Sequence, residues 1–477
     1  MVASEAGDYE TILGAALSNG IDPSLEPISA MLAELGDPDL RFRAIQLVGT
    51  NGKTSTARYA ARILAAEGLK VGLYVSPLFM DYADQIEVEG AAVRRCELDR
   101  AVAEAYAVGC RIDARRAAAG LEPFGFSEFE LLTAAAVLIF AWRGVDVAVV
   151  EAGMGGEWDA TSAIRSITTV CVTGIGLDHT RFLGNTVEEI AANKAAVIRH
   201  GRACVLGPGT EEPQTVENVL LSRCGAEQVD PVLVRPGDAF AHGGTGGGGK
   251  APSGIAPDEP ATSSLALFDV AWDANGLPSA ADNGMVPLEI TLRTPRATYE
   301  GLRAQKPSYQ AQNVACAATL AEEFLRRPLD VDKLCDAVAT CPTPGRFDMI
   351  SDDPPVIVDA CHNPQSVEAF LSAWKRMMPA RTPAEQPTLL CAIFADKDVD
   401  NIVAQLTSVF SRVVVVRTRA ARAMDPVELA KVFELHGVMP EAVFSNVPDA
   451  LRYLEGRPFV ACGSITVAGE VAANLRA

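Results

Sequence analysis

Leu47-Val48-Gly49-Thr50-Asn51-Gly52-Lys53-Thr54-Ser55 is the stretch on which the reading of the chain turns. A short apolar run leads into it, and Ala57 to Leu64, rich in helix formers, follows as far as Gly68. A glycine-bearing turn between a strand and a helix start aims several backbone N–H groups at one point, where the aligned peptide dipoles also favour negative charge. Gly49 and Gly52 allow the tight turn and keep side chains off that point. Lys53 can reach phosphoryl oxygens, and the Thr54 hydroxyl is placed to ligate magnesium. The pattern is a shortened phosphate loop, Gly-x-x-Gly-Lys-Thr, and it makes Gly49, Thr50, Asn51, Gly52, Lys53, Thr54 and Ser55 candidate contacts to a nucleotide triphosphate. The competing reading, a helix start whose lysine faces solvent, leaves the strand, turn and helix context unused.

Outward from this loop, polar residues recur just past short strands. Lys70 to Val75 reads as a strand, and Leu78 to Glu89, without a clear period, as a mobile loop beside the site. Helices are expected at Glu97–Val108 and Glu128–Trp142, and a strand at Asp146–Val150 with Glu151 at its end. In a parallel sheet, carboxylates at the carboxyl ends of strands gather at the ligand crevice, so Glu151 is a candidate magnesium ligand. The strand Thr168–Thr173 is followed by Gly174-Ile175-Gly176-Leu177-Asp178-His179, which makes His179 a candidate metal or phosphate-side ligand. A helix over Val187–Ile198 carries Lys194 among apolar residues. Such a lysine either snorkels outward or is held at the site with an altered head group, and the residues alone leave both open. Ala203–Leu206 is a further strand. Gly207 to Pro307 reads as short strands and turns, with a flexible glycine-rich insertion at about 238–262. Leu288–Leu292 and Arg296–Leu302 suit an antiparallel pair.

A break at Gln305 to Ser308 divides the chain into 1–305 and 306–477. The helix opening at Ser308 carries Asn313, an amide suited to an adenine edge or a ribose. Pro342-Thr343-Pro344-Gly345-Arg346 is a rigid turn that presents Arg346 to a phosphate or a surface ion pair. Strand Val356–Val358 ends in Asp359-Ala360-Cys361-His362-Asn363-Pro364, where acid, imidazole and amide form either a site or a helix cap. Strands at Leu389–Phe394, Val413–Val416 and Phe459–Cys462 alternate with helices. The expected fold is α/β, with a central mostly parallel sheet in a larger first domain and a smaller α/β second domain.

Composition narrows the function classes. A net charge of -20 argues against nucleic-acid and anionic-membrane partners. The eleven cysteines show no CxxC spacing and only five histidines could join them, which favours reduced packing residues over disulfides or zinc. No secretion signal and no membrane-length apolar run is visible, so a cytoplasmic protein is expected.

The ordered stretches GTNGKTS (49–55), EAGMGGEWDAT (151–161), LDHTRFLGNTVEEIAANKA (177–195), PGRFD (344–348), DACHNP (359–364), ADKD (395–398) and GSITVAGE (463–470) resemble the folylpolyglutamate synthase/dihydrofolate synthase family of the Mur ligase superfamily. The resemblance implies an ATPase domain and a C-terminal ligase domain that close over ATP and Mg2+, with a folate or dihydropteroate and L-glutamate as small-molecule partners. No nucleic-acid or membrane partner is implied, and a monomer is expected. The implied reaction passes the γ-phosphate to a carboxylate, and the amine of glutamate then attacks the acyl phosphate. Lys53 matches the family's phosphate-binding lysine and Thr54 its metal-ligating hydroxyl. Glu151 and His179 match metal ligands, and Lys194 matches a lysine that is carbamylated to a metal-binding anion. Asn313 and Arg346 match nucleotide contacts, while Asp359 and His362 match the inter-domain site near the phosphates and the incoming amino acid. By this correspondence Lys53, Lys194, His362 and Asp359 are the expected catalytic set, with Asp359 also near the nucleotide.

The chain departs from the family's pattern at several places. Leu78 replaces a histidine, and Asp84-Gln85-Ile86 replaces Glu-Arg-Ile. Glu157 and Ser162 replace an arginine and an asparagine of the glycine-rich turn, while Asn193 and Ala196 replace a glutamate and a glycine beside Lys194. These changes bear on the acceptor more than on the ligase chemistry. A muramoyl amino-acid ligase and a non-catalytic nucleotide-binding paralogue are the alternative readings.

Overall fold

The computed structural model describes residues 8–20, 23–237, 264–272, 288–304, 307–377 and 386–476. The glycine-rich stretch expected as an insertion at 238–262 lies outside them. The first sheet contains β1 (Arg43–Val48), β2 (Val71–Tyr74), β3 (Ile86–Val88), β4 (Ala91–Ala92), β5 (Val147–Glu151), β6 (Ile167–Val172), β7 (Ala203–Leu206), β8 (Val232–Pro236), β9 (Ser264–Trp272), β10 (Leu288–Arg293) and β11 (Thr298–Ala304). Their order is β11-β10-β9-β8-β7-β6-β1-β5-β2-β3-β4. Every step from β9 to β2 is parallel, and antiparallel strands finish both edges.

Strand periodicity explains the two-sided burial. On β1, Ala44 and Val48 face one apolar cluster, while Ile45 and Leu47 face the other. The first cluster is roofed by helices Tyr9–Ala16, Glu26–Glu34, Arg95–Ala118 and Glu128–Arg143. The second is roofed by Lys53–Ala66, Gln310–Leu325 and Val331–Thr340. The helix Glu128–Arg143 starts where Ser127 and Glu130 satisfy each other's backbone N–H groups, and Gly144 in a left-handed conformation ends it.

A second sheet holds β12 (Asp348–Asp352), β13 (Pro355–Val358), β14 (Thr388–Cys391), β15 (Val413–Val416), β16 (Ala442–Phe444) and β17 (Phe459–Cys462), in the order β12-β13-β17-β14-β15-β16. All its pairings are parallel except β12 with β13. Helices cover both faces again.

Two local expectations differ from the structure. Leu78 to Glu89, read as a mobile loop, contains a helical turn at Tyr82–Gln85 and β3, which pairs with β2; three residues are too few to reveal an alternation. Gly207 to Pro307, read as strands and turns, includes the helix Gln214–Glu227. Its buried residues Val216, Leu220 and Cys224 come only once per turn, and flanking prolines and glycines mask them. The expected division at 305/306 falls ahead of two helices that bury Val314, Leu320, Phe324, Leu334 and Val338 in the first sheet's core. Each such large side chain contributes about 1.5–3 kcal/mol on full burial, so packing assigns both helices to the first body. The second sheet begins only at Asp348. Among the described residues, no helix is long and apolar enough to cross a membrane.

Candidate active site

The phosphate loop links the end of β1 to the helix Lys53–Ala66, with Gly49 at φ +150° and Gly52 at φ +85°. A Cβ at Gly49 would lie 2.1 Å from Thr173 Oγ1, and one at Gly52 would lie 2.6 Å from Asn313 Oδ1, so both positions require glycine. No side chain caps the helix start, which leaves its first N–H groups directed at the loop. Lys53 Nζ donates to Gly49 O (3.1 Å) and Thr50 O (3.3 Å). Lys194 Nζ reaches the same Gly49 oxygen at 2.8 Å from the helix Val187–Ala195.

This loop opens on a crevice of about 620 Å³ lined from both bodies, by Lys53, Thr54, Glu151 and His179 on one side and Arg346, Asp359, His362 and Lys397 on the other. Thr54 Oγ1 donates to Glu151 Oε1 (3.0 Å), and the Ser76 N–H donates to Glu151 Oε2 (3.2 Å). Glu151 is 2% exposed. Burial pushes its carboxyl pKa up, against the pull of Lys53, the Thr54 hydroxyl, the Ser76 N–H and Arg346. A hydroxyl and a carboxylate are hard oxygen donors of the kind magnesium takes, the rest of its shell being water and phosphate oxygen. Among the described residues no three His, Cys, Asp or Glu side chains gather as a metal site by themselves.

His179 does not join Thr54 and Glu151 in a hydrogen-bonded set. Its Nε2 lies 3.8 Å from Asp178 Oδ2, and His362 Nε2 approaches the same oxygen at 3.8 Å from the second body. Lys397 Nζ closes on Asp178 Oδ1 at 2.5 Å. Burial works against the Asp178 charge, but His362, His179 and Lys397 outweigh it and hold the carboxyl far below the usual range. Burial and the cations Lys397, Lys53 and Lys194 push His179 down to about 4, against the pull of Asp178. For Lys194, burial first and Lys53 next bring the pKa down to about 7, with Asp178 and Asp159 opposing.

Asp359 lines the crevice yet is 3% exposed, and its oxygens accept from Tyr309 Oη (3.0 Å), Phe347 N (2.8 Å) and Cys361 N (2.8 Å). It therefore shapes the Asp359–His362 turn from within. His362 Nδ1 lies 2.9 Å from Ala360 O, leaving Nε2 toward Asp178. The two bodies touch directly at the phosphate loop, where Asn51 Nδ2 donates to Gln365 Oε1 (2.8 Å) and Asn363 Nδ2 donates to Asn51 Oδ1 (3.1 Å). Asn313 accepts from the Thr56 hydroxyl and donates to Gln310 Oε1, beside the loop.

Sequence reasoning passed over Asp178, Lys397 and Gln365, and read Asn363 as the amide of a site or a helix cap. Asp178, Lys397 and Asn363 stand in polar turns after strands and Gln365 opens the helix Pro364–Met377, but their role as links between bodies exists only in three dimensions. The departures from the family pattern are accommodated locally. Asn193 Oδ1 accepts from the Gly156 N–H (3.1 Å) and the Ser162 hydroxyl binds Gly156 O, so these two residues hold the glycine-rich turn. Gln85 is buried and donates to Val75 O (3.1 Å).

Comparison with known proteins agrees with this geometry. Residues 345–457 match the family described as Mur ligase, glutamate ligase domain. A probable bifunctional folylpolyglutamate synthase/dihydropteroate synthase of Haloferax volcanii is 33% identical over 87% of this chain, which spans 43% of that protein. The dihydrofolate synthase/folylpolyglutamate synthase of Mycobacterium tuberculosis is 30% identical over 86% of this chain and 77% of its own length. The crystal structure of M. tuberculosis folylpolyglutamate synthase complexed with ADP and AMPPCP superposes with a TM-score of 0.80, at 26% identity, over 98% of this chain and 99% of that one. With the phosphate loop, the second α/β body and the crevice between them in place, the chain belongs to the folylpolyglutamate synthase/dihydrofolate synthase family of Mur ligases.

Proposed function

We propose that the crevice joins L-glutamate to the carboxylate of a folate or dihydropteroate through an acyl phosphate. The chain is an ATP-dependent acid–amino-acid ligase of the folylpolyglutamate synthase/dihydrofolate synthase type. The observation that carries the assignment of residues is the meeting at Asn51, where the phosphate loop of one body is gripped by the start of the helix Pro364–Met377 of the other.

A carboxylate reacts poorly with an amine because its oxygen is a poor leaving group, and phosphorylation makes that oxygen leave as phosphate. In our reading the loop amides and Lys53 hold the triphosphate, and Asn313 and Arg346 orient the nucleotide. Thr54 and Glu151 would hold Mg2+, with His179 and Lys194 near it. Bound there, the ion would supply charge neutralisation on the transferred phosphoryl group. Asp359 fixes the turn that presents His362 toward Asp178 and the incoming amine, and closure of the two bodies keeps water from the acyl phosphate. The division of labour between residues before and after about 341–347 follows the packing boundary. A cytoplasmic site for this chemistry fits free thiols such as Cys171, Cys361 and Cys462.

The test follows ADP release and product mass in parallel reactions with dihydropteroate, tetrahydrofolate and a muramoyl acid. A glutamate adduct of one of the first two is the expected result. Product formed only on the muramoyl acid would overturn the acceptor assignment, and bound ATP without turnover on any acceptor would overturn catalysis.

Lys194 gives a second expectation. An amine captures carbon dioxide only when neutral, and a buried lysine held near 7 offers far more neutral amine than an exposed one. Bicarbonate should therefore stimulate CO2-depleted protein more at about pH 8 than at about pH 6. Intact-protein mass should show the added carboxyl, which Lys194→Arg abolishes. No adduct and no stimulation would leave Lys194 as an amine that staples Gly49 O.

A further inference from the structure

The segment that leaves β2 at Ser76 does not stay within the first body. Phe79 packs against the apolar cluster on one face of the second sheet, whose members include Val358, Ile465 and Ala468. Its seat is formed by two glycines of the second body. An ideal Cβ at Gly345 would stand 2.6 Å from the Phe79 ring, and Gly345 has φ +65°. At Gly469, inside the helix Ile465–Arg476, an ideal Cβ would stand 1.8 Å from the Phe79 carbonyl oxygen. No side chain larger than hydrogen fits at either place without moving the segment.

Both ends of this contact run into the chemistry. Three residues back from Phe79, Ser76 donates its N–H to Glu151 Oε2, and its carbonyl oxygen lies 3.3 Å from Thr54 Oγ1. On the other side, Gly345 precedes Arg346, and its carbonyl accepts the Ala360 N–H (2.8 Å) of the turn that bears His362. One seated ring thus ties the Thr54–Glu151 pair to Arg346 and His362 through short lengths of chain.

We infer that Phe79 is a positioning residue for the ligase reaction. Seated between Gly345 and Gly469, it holds the two bodies at the spacing at which both sets of groups face one substrate. It leaves its seat when the bodies part. The inference rests on the ligase reading above and adds to it a latch outside the phosphate loop. A loosened latch lets water reach the acyl phosphate: the O–P group leaves as phosphate, water supplies the new carboxyl oxygen, and ATP is spent without an amide.

The experiment compares the full-length protein with Phe79→Ala, Phe79→Leu and Gly469→Ala, measuring ADP and amide in the same reaction, with thermal midpoint as the fold control. The unaltered chain should give one ADP per amide by stoichiometry. Phe79→Ala should lower the amide rate about tenfold, as a less populated closed state dictates, and raise ADP per amide at least about twofold. Gly469→Ala, which attacks the seat from the other side, should show the same excess of ADP, and Phe79→Leu should restore coupling. An unchanged ADP-to-amide ratio in both Phe79→Ala and Gly469→Ala overturns the latch, whatever happens to the rate or the midpoint. If the unaltered chain makes no amide at all, the ligase reading falls instead and takes the latch with it.

Discussion

Replacing Lys53 by alanine is expected to slow amide formation about 10²–10³-fold, the usual loss when one preorganised charge at a transferring group is removed. Lys53 Nζ rests on Gly49 O and Thr50 O, two carbonyls of the loop it serves, and is poised to exchange them for phosphoryl oxygens. Its side chain is only partly buried and lies outside the apolar cores, so the melting midpoint should move little. Lys53→Arg keeps the charge but offers a planar fork in place of a compact ammonium, and should recover only part of the rate. Initial rates at saturating acceptor and glutamate check both variants. Undiminished synthesis in Lys53→Ala would remove the phosphate loop from the mechanism.

The second large effect concerns Glu151→Gln, for which activity and stability should move in opposite directions. The amide keeps the shape of the carboxyl and can still be satisfied. Its oxygen would accept the Ser76 N–H, its NH2 would donate to Thr54 Oγ1, and the Thr54 hydroxyl would turn to Ser76 O, already 3.3 Å away. What disappears is the negative charge that suits a divalent cation. The magnesium concentration for half-maximal rate should rise about tenfold or more, and the rate at fixed magnesium should fall about 10²-fold.

Burial raises the Glu151 pKa in the folded chain, so the native state holds that proton more tightly than the unfolded one. The ionised carboxyl therefore costs stability once pH climbs above the unfolded value of about 4.3, and the full cost is reached above the raised folded value. At neutral pH, Glu151→Gln should melt no lower than the unaltered chain. A clear loss of thermal midpoint, or unchanged magnesium dependence, would contradict this account.

The sheet and its crevice were legible because parallel strands bury both faces. Val147–Glu151 and Ile167–Val172 read as apolar runs that stop abruptly at acids and glycines, and those stops are where the site lies. The phosphate loop was legible for a related reason, since glycine, lysine and threonine at fixed spacing need only local geometry. Asp178 was hidden because its partners are distant in sequence. Lys397 and His362 belong to another sheet, and nothing within Leu177–His179 announces that the carboxylate will be claimed from across a crevice. The packing of Gln310–Leu325 was hidden because the helix follows a break in composition and yet buries its apolar face backward, onto the sheet already passed. Phe79 looked like an ordinary apolar residue in an irregular stretch. Its meaning lies in two glycines some 266 and 390 positions later, as the difference in numbering shows.

The lateral order β6, β1, β5, β2, β3 sets Asp178, the phosphate loop, Glu151 and the Ser76–Gln85 segment in a row along one rim. Leu78 and Gln85, two of the residues that break with the family's habit, stand at the far end of that row. Those two departures leave the loop, Lys53 and Glu151 in the middle of the rim as the family's pattern has them.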